Sequence, residues 1–292
     1  MFIDYAYLGL ATASLTVSNV LCGFYGRRTN GSKDPMALFS FVELCAIFLF
    51  WAVMFAVAPE FNLSVLPYSI AFAIFFAMGK VGYVFAVKEG SLVLTSMVLQ
   101  SSLILVSVWG MLFWGAKFTL RVGIGLVLVA VALVLCLYNG KQEDSSKKKV
   151  SVKWAFFALV SFLGNAGCTI TQKTQQLSFN GKYGNMLMLF ASMLSGIVGL
   201  TLYMKSDKSH SKQILKTNLY LPVLSGASNG LLNLFVMLLA VSALSPTLVY
   251  PTIAVGGLIL TALISLLCFK EKLKWWQWIG VVVGIVATAT LS

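Results

Sequence analysis

Two charged residues stand where an apolar environment would surround them. Glu43 falls about eight residues into an apolar run over 36–57, and Lys80 about eight residues before the end of another over 67–88. At about 1.5 Å of helix rise per residue, both sit roughly 12 Å from the same end of their runs. A short segment joins the runs, so as antiparallel helices they bring the two side chains within reach of each other. An ionisable group inside a lipid-spanning helix is costly to keep and marks a functional site by default. The pair has two readings. It is either a structural ion pair, or an anion-binding and proton-exchanging site in which Lys80 attracts substrate and Glu43 takes the proton.

Around this pair the apolar runs hold uncharged polar residues: Ser18, Asn19, Tyr83, Ser96, Gln100, Asn165, Thr169, Asn229, Asn233 and Tyr250. Such groups either join helices by hydrogen bonds or line a polar cavity. We take Lys80, Asn19, Asn165, Tyr83, Gln100, Asn229, Asn233 and Tyr250 as the candidate substrate-binding set, with Glu43 for proton coupling. No catalytic set emerges. The one histidine, His210, lies in a hydrophilic loop, and no His, Cys or Asp cluster has metal spacing. The expectation is a non-enzyme without metal or cofactor.

The elements that position these residues are set by composition. The chain is 59% hydrophobic and 10% charged with a mean hydropathy of +0.90, whereas a soluble domain carries about 25% charged residues. So little charge cannot cover a water-facing surface of 292 residues. Runs such as Leu92–Phe113 and Val122–Tyr138 contain no Asp, Glu, Lys or Arg and approach the roughly 20 residues that cross a bilayer as a helix. They do not alternate, which excludes a transmembrane barrel. The net charge of +12 reads as cytoplasmic loop lysines and arginines rather than a nucleic-acid surface. Five cysteines, Cys22, Cys45, Cys136, Cys168 and Cys268, form no C-x-x-C pair and read as small packing residues. Asp4 stands where a signal peptide would be basic, so the first run is expected to remain as a helix.

Hydropathy and loop punctuation give about ten spans: 5–25, 36–57, 67–88, 91–114, 119–138, 153–175, 183–203, 219–241, 246–269 and 275–291. Hydrophilic loops at Asn139–Val152, with Lys147-Lys148-Lys149, and at Lys205–Asn218 read as solvated linkers. An internal repeat is visible. Asn19-x-x-Cys22 recurs as Asn165-x-x-Cys168 at an offset of 146, and the turn from Phe113 to Thr119 recurs from Cys268 to Lys274 at an offset of 155. The second offset also lays Gly125 on Gly280. The expected organisation is a five-helix repeat over 1–138, a polar linker over 139–152 and a second repeat over 153–292. Five is odd, so the second repeat enters the membrane from the opposite side. The fold class is an all-α polytopic membrane protein of two inverted repeats, an architecture that places substrate at the repeat interface.

The segment Glu271-Lys272-Leu273-Lys274-Trp275-Trp276-Gln277-Trp278-Ile279-Gly280, a Glu followed nine residues later by Gly at the opening of the last helix, resembles the drug/metabolite transporter superfamily, in its ten-helix type with two EamA-like halves. With helix count and halves, the resemblance extends over nearly the whole chain. It departs at Ala116, where the first half would carry that Glu, and at Pro251, which sits early in its helix. The first span has no carboxylate, unlike the related small multidrug antiporters, which argues against their cation–proton exchange. The resemblance implies a secondary transporter with both termini in the cytoplasm. Charge counting differs. The odd-numbered loops hold sixteen lysines and arginines and the even ones four, counted as Lys117, Arg121, Lys173 and Lys182. That bias places the odd loops in the cytoplasm and the termini outside; we carry this reading forward because short loops are where it applies best.

Together these readings give an expected transporter of a small polar metabolite in a cell membrane, of the bacterial inner-membrane kind. It would act as monomer or homodimer with a small-molecule substrate and the lipid bilayer as partners, and no nucleic acid. The competing readings are a flippase for lipid headgroups or polyprenyl carriers, a membrane enzyme, and a non-transporting scaffold.

Overall fold

The computed structural model describes residues 2–29, 33–90, 92–115, 117–137, 152–206, 218–269 and 275–291. Among them the chain forms α1 (Phe2–Arg28), α2 (Lys33–Val57), α3 (Leu66–Glu89), α4 (Leu92–Phe113), α5 (Leu120–Leu137), α6 (Val152–Ser178), α7 (Gly184–Met204), α8 (Tyr220–Ala240), α9 (Pro246–Phe269) and α10 (Trp275–Leu291), with no strand. Each expected span falls on one of these helices. The tri-lysine linker, the loop holding His210, the turn at 270–274 and Ala116 lie outside the described residues.

Six helices, α1, α2, α3, α6, α7 and α8, are long and apolar enough to cross a membrane. Their outer faces expose Leu49, Val53, Ile70, Ile74, Leu159 and Leu163, while Glu43, Asn19 and Gln172 are buried inside. Large apolar side chains outside and polar ones within is the arrangement of a multi-pass membrane protein, where lipid replaces water as the outer solvent.

Local chemistry explains where the helices differ from expectation. Asp4 in the first turn of α1 and Arg27 and Arg28 in its last turn complement the helix dipole and extend the helix beyond its apolar run at both ends. Before α3, Asn62 accepts from the Ser64 amide at 3.0 Å, capping a short 3-10 turn, and Pro67 then sits in the first turn of α3, where its missing N–H costs nothing. Between α6 and α7 the chain reverses through Asn180, Gly181 and Tyr183, all at positive φ. One sequence assignment is corrected here. Lys173, counted as a loop residue, lies within α6 and is buried. It donates to the Ala240 carbonyl at 3.1 Å and its ammonium stands 5.5 Å from the centre of the Trp114 ring. The C-terminal carbonyls of α8 and the aromatic face supply the negative potential that this cation needs. The even-loop count therefore falls by one, and the charge bias sharpens.

The helices pair in a recurring pattern. α3 packs most extensively on α6 and α1 on α8; α2 packs on α7, α4 on α9 and α5 on α10; α2 also meets α8 as α3 meets α7, and α4 meets α6 as α1 meets α9. Without a hydrophobic drive between lipid-immersed helices, close approach of small residues supplies the contact energy. At the α3–α6 crossing a Cβ on Gly82 would lie 2.8 Å from the Ser161 nitrogen and 2.9 Å from the Phe157 carbonyl oxygen, and one on Gly164 would run into the Gly79 backbone. Ser161 fastens the same crossing by donating to the Gly79 carbonyl at 3.1 Å. Gly256 likewise lets α9 approach Thr12 of α1, so packing accounts for that glycine.

Gly164→Ala and Gly82→Ala are therefore expected to cost about 1–3 kcal/mol each through overpacking, seen as a lowered melting temperature in detergent. Gly9→Ala and Gly196→Ala, where an added Cβ meets nothing within 4 Å, are the matched controls and should melt like the parent.

Candidate functional site

The polar residues converge on a cavity near the middle of the helices. Its walls follow the helical repeat of 3.6 residues. α3 contributes Phe76, Gly79, Lys80 and Tyr83, and α6 contributes Asn165, Cys168, Thr169 and Gln172. From α8 come Asn229, Leu232, Asn233 and Val236, while α1 gives Leu15 and Asn19, α4 gives Leu99, and α9 gives Tyr250 and Ile253. About 80 Å³ is open to the centres of water-sized molecules. One water needs about 10–15 Å³ on that measure, so the cavity has room for several waters or a small solute.

The structure thus brings seven of the eight candidate binding residues, Lys80, Asn19, Asn165, Tyr83, Asn229, Asn233 and Tyr250, to one place. Gln100 lies on α4, and its side chain is outside the described ones. Glu43 stands behind Lys80 and away from the cavity wall, 2% exposed.

Lys80 and Glu43 form the expected ion pair, Nζ to Oε1 at 2.8 Å. It forms even though α2 and α3 each pack chiefly on other helices, because the long lysine side chain spans the gap. Two hydroxyls join it from helices distant in sequence. Ser225 of α8 donates to Glu43 Oε1 at 2.7 Å, and Ser18 of α1 donates to the same oxygen at 3.4 Å. The two serine oxygens are 3.0 Å apart, and Lys80 Nζ reaches Ser18 Oγ at 3.5 Å. All of these donors address Oε1. The carboxylate charge is therefore held by one cation and two hydroxyls in an interior where an unpartnered charge would be untenable.

The amides are in different states. Asn165 donates to Ser102 at 2.7 Å, Gln172 to the Asn233 carbonyl at 3.1 Å, and Asn233 to both the backbone oxygen and the Oδ1 of Asn229 at 2.9 and 3.1 Å. Tyr83 shares a hydrogen bond with Ser96 at 3.0 Å. Asn19 differs: it is 4% exposed and its Nδ2 has no hydrogen-bond partner among the described residues. Asn19 and Asn165, paired by the sequence repeat, line the same cavity but do not bond each other.

Participants outside the candidate set include Ser18, Thr169, Gln172 and Ser225. Gln172 and Thr169 share a stripe with Asn165 at spacings of three and four residues, and that spacing was the available signal. Ser225 lies four residues before Asn229 on α8, yet a single serine in an apolar run carries no signal until its carboxylate partner is known. Among the described residues, no group of three His, Cys, Asp or Glu side chains is placed to hold a metal.

No protein-family profile matches the chain. No curated protein matches it either. Among solved structures, 29 chains match. One of them, determined by crystallography, superposes over 96% of this chain and 97% of its own length with a TM-score of 0.63 at 11% identity. The chain therefore has a fold already seen in a crystal structure, and the likeness is one of fold alone.

The geometry around Glu43 makes Ser225 costly to lose. Ser225→Ala leaves a buried carboxylate short of its shortest hydroxyl donor, which should cost about 1.5–3 kcal/mol. Ser228→Ala, on the same helix but without a hydrogen bond to Glu43 or Lys80 among the described residues, should leave the melting temperature in place.

Proposed function

We propose that the protein is a secondary transporter that carries a small polar metabolite by alternating access, with the central cavity as its substrate site. The observation that carries this reading is the gathering of seven polar candidates, drawn from α1, α3, α6, α8 and α9, around one interior cavity. Polar and ionisable groups inside a membrane bundle are costly, and a convergent set of them around a cavity marks a solute pathway. They gather in the interior, with apolar side chains on the outer faces. That distribution favours a soluble metabolite over a lipid headgroup entering from the side.

The helix pairings support two inverted five-helix repeats over 1–138 and 153–292. Exchanging each helix for the one five places later turns the α3–α6 contact into α8–α1, α2–α8 into α7–α3, and α4–α6 into α9–α1, while α2–α7, α4–α9 and α5–α10 map onto themselves. The cavity wall obeys the same exchange, since α1, α3 and α4 correspond to α6, α8 and α9. On this reading all ten helices span a cell membrane, and the site lies on the pseudo-two-fold axis, where rocking of one repeat against the other opens it to either side. This is also the architecture implied by the resemblance to the ten-helix, EamA-like drug/metabolite transporters.

Alternating access is testable without knowing the substrate. In a cysteine-free variant, Thr169→Cys places a thiol on the cavity wall. An impermeant maleimide should label it when applied from either side of oriented vesicles, with rates that sodium chloride or pH alters in opposite directions on the two sides. Labelling from one side only, under every condition, would leave a one-sided pocket and contradict transport.

A further inference from the structure

We propose that the cavity binds a monocarboxylate group of its substrate through Lys80 and Asn19, and that this binding transfers one proton from bulk water to Glu43. The inference rests on the transport reading and names the substrate class and the coupled ion.

The argument begins with unmet hydrogen bonding. Asn19 lines the cavity, and its buried Nδ2 has no hydrogen-bond partner among the described residues. A buried donor left unpaired is costly, so the site is completed by an acceptor that enters it. Lys80 lines the same cavity, 15% exposed, while its partner Glu43 is withdrawn from the wall at 2%. The lysine therefore has its carboxylate behind it and open space on the cavity side. Asn19 directly follows Ser18, whose hydroxyl already belongs to the Glu43 cluster. Two cavity-lining residues with donor groups, one of them cationic, call for an anionic acceptor.

Charge counting then selects the anion and the proton. With the cavity empty, Lys80 and Glu43 sum to zero. Adding a carboxylate would leave one uncompensated negative charge in a low-dielectric interior, an arrangement costly enough to drive protonation. A single proton on Glu43 restores neutrality. The incoming carboxylate then takes over the ammonium, and the new acid proton can be donated within the Ser18–Ser225 cluster. A phosphate dianion would leave a residual charge even after that step.

Among the described groups around Glu43, none is a base that would take up the proton in its place. α3 presents Lys80 and Tyr83, and α1 presents Cys22, all within electrostatic reach of Glu43. Cys168 on α6 lies within reach of Lys80. No Asp, Glu, Lys, Arg or His occurs in α7 or α8, the other helices packed on α2. Glu43 is thus the acidic side chain of this cluster.

The test uses the purified full-length protein in detergent with matched probes: lactate, nicotinate and N-acetylglycine against their primary amides, with inorganic phosphate and glycerol phosphate alongside. At least one carboxylate should raise the melting temperature by on the order of 5 °C at saturation, while its amide does not. Its affinity should fall by up to about ten-fold per unit of rising pH, as one linked proton requires. E43Q should bind the carboxylate more tightly and without pH dependence; K80Q should not bind it. Should K80Q fail to fold, E43Q/K80Q, which strands no carboxylate, replaces it and should bind none of the probes. Absence of any carboxylate shift, an equal shift from the amide, binding of the phosphates alone, or retained pH dependence in E43Q overturns the proposal. The thiol-labelling assay uses no ligand, so it still stands when the probes fail. Conversely, one-sided labelling with intact carboxylate binding removes transport and leaves the anion site.

Discussion

The structure turns on the problem of keeping a carboxylate inside a bundle surrounded by lipid. An isolated buried charge is so unfavourable that it neutralises or drags the fold apart. Here Glu43 survives because three other helices converge on its Oε1: α3 with Lys80, α1 with Ser18 and α8 with Ser225. These contacts bring together residues up to 207 positions apart. The cluster therefore fixes how the N-terminal helices sit against α8. It also fixes Lys80 at the cavity wall, because the lysine cannot leave without stranding its partner.

Close helix packing makes that convergence possible. The ammonium reaches Glu43 from α3, which itself lies backbone to backbone on α6 through Gly79, Gly82 and Gly164. α8 approaches α2 in the same manner, since a Cβ on Gly226 would meet the Glu43 carbonyl oxygen at 2.6 Å. The small residue thus sits directly beside the charged one. Larger side chains at these crossings would push Ser225 or Lys80 out of hydrogen-bonding range. Packing and polarity are parts of one design: small residues bring the helices together, and the distance they set is the length of a hydrogen bond.

Much of this was legible in the sequence because lipid simplifies the code. A charge-free run of about twenty residues has few alternatives to a helix, and Glu43 and Lys80 stand out against such a background. Depth counting placed them at one level, and the ion pair forms there. The Asn-x-x-Cys repeat pointed to Asn19 and Asn165, which do share a cavity. What sequence could not supply was rotation about each helix axis. Gln172 and Lys173 are adjacent in sequence, yet Gln172 lines the cavity while Lys173 turns to Trp114 and the end of α8. Lys173 was misassigned because a lysine near a helix end ordinarily lies in a loop; its carbonyl and aromatic partners come from segments far along the chain. Ser225 was silent for the same reason, as its meaning lies wholly in the carboxylate opposite.

The central claim is that Lys80 and Glu43 are energetically one unit at the wall of the cavity. A double-mutant cycle in melting stability tests it most directly, using Glu43→Gln, Lys80→Met and the pair together. Lys80→Met strands the buried carboxylate and should cost about 3–5 kcal/mol, Glu43→Gln leaves Lys80 unpaired at the cavity wall and should cost less, and the double variant removes both charges and should recover most of the loss. Losses that simply add would mean the two groups do not depend on each other, and would contradict the account.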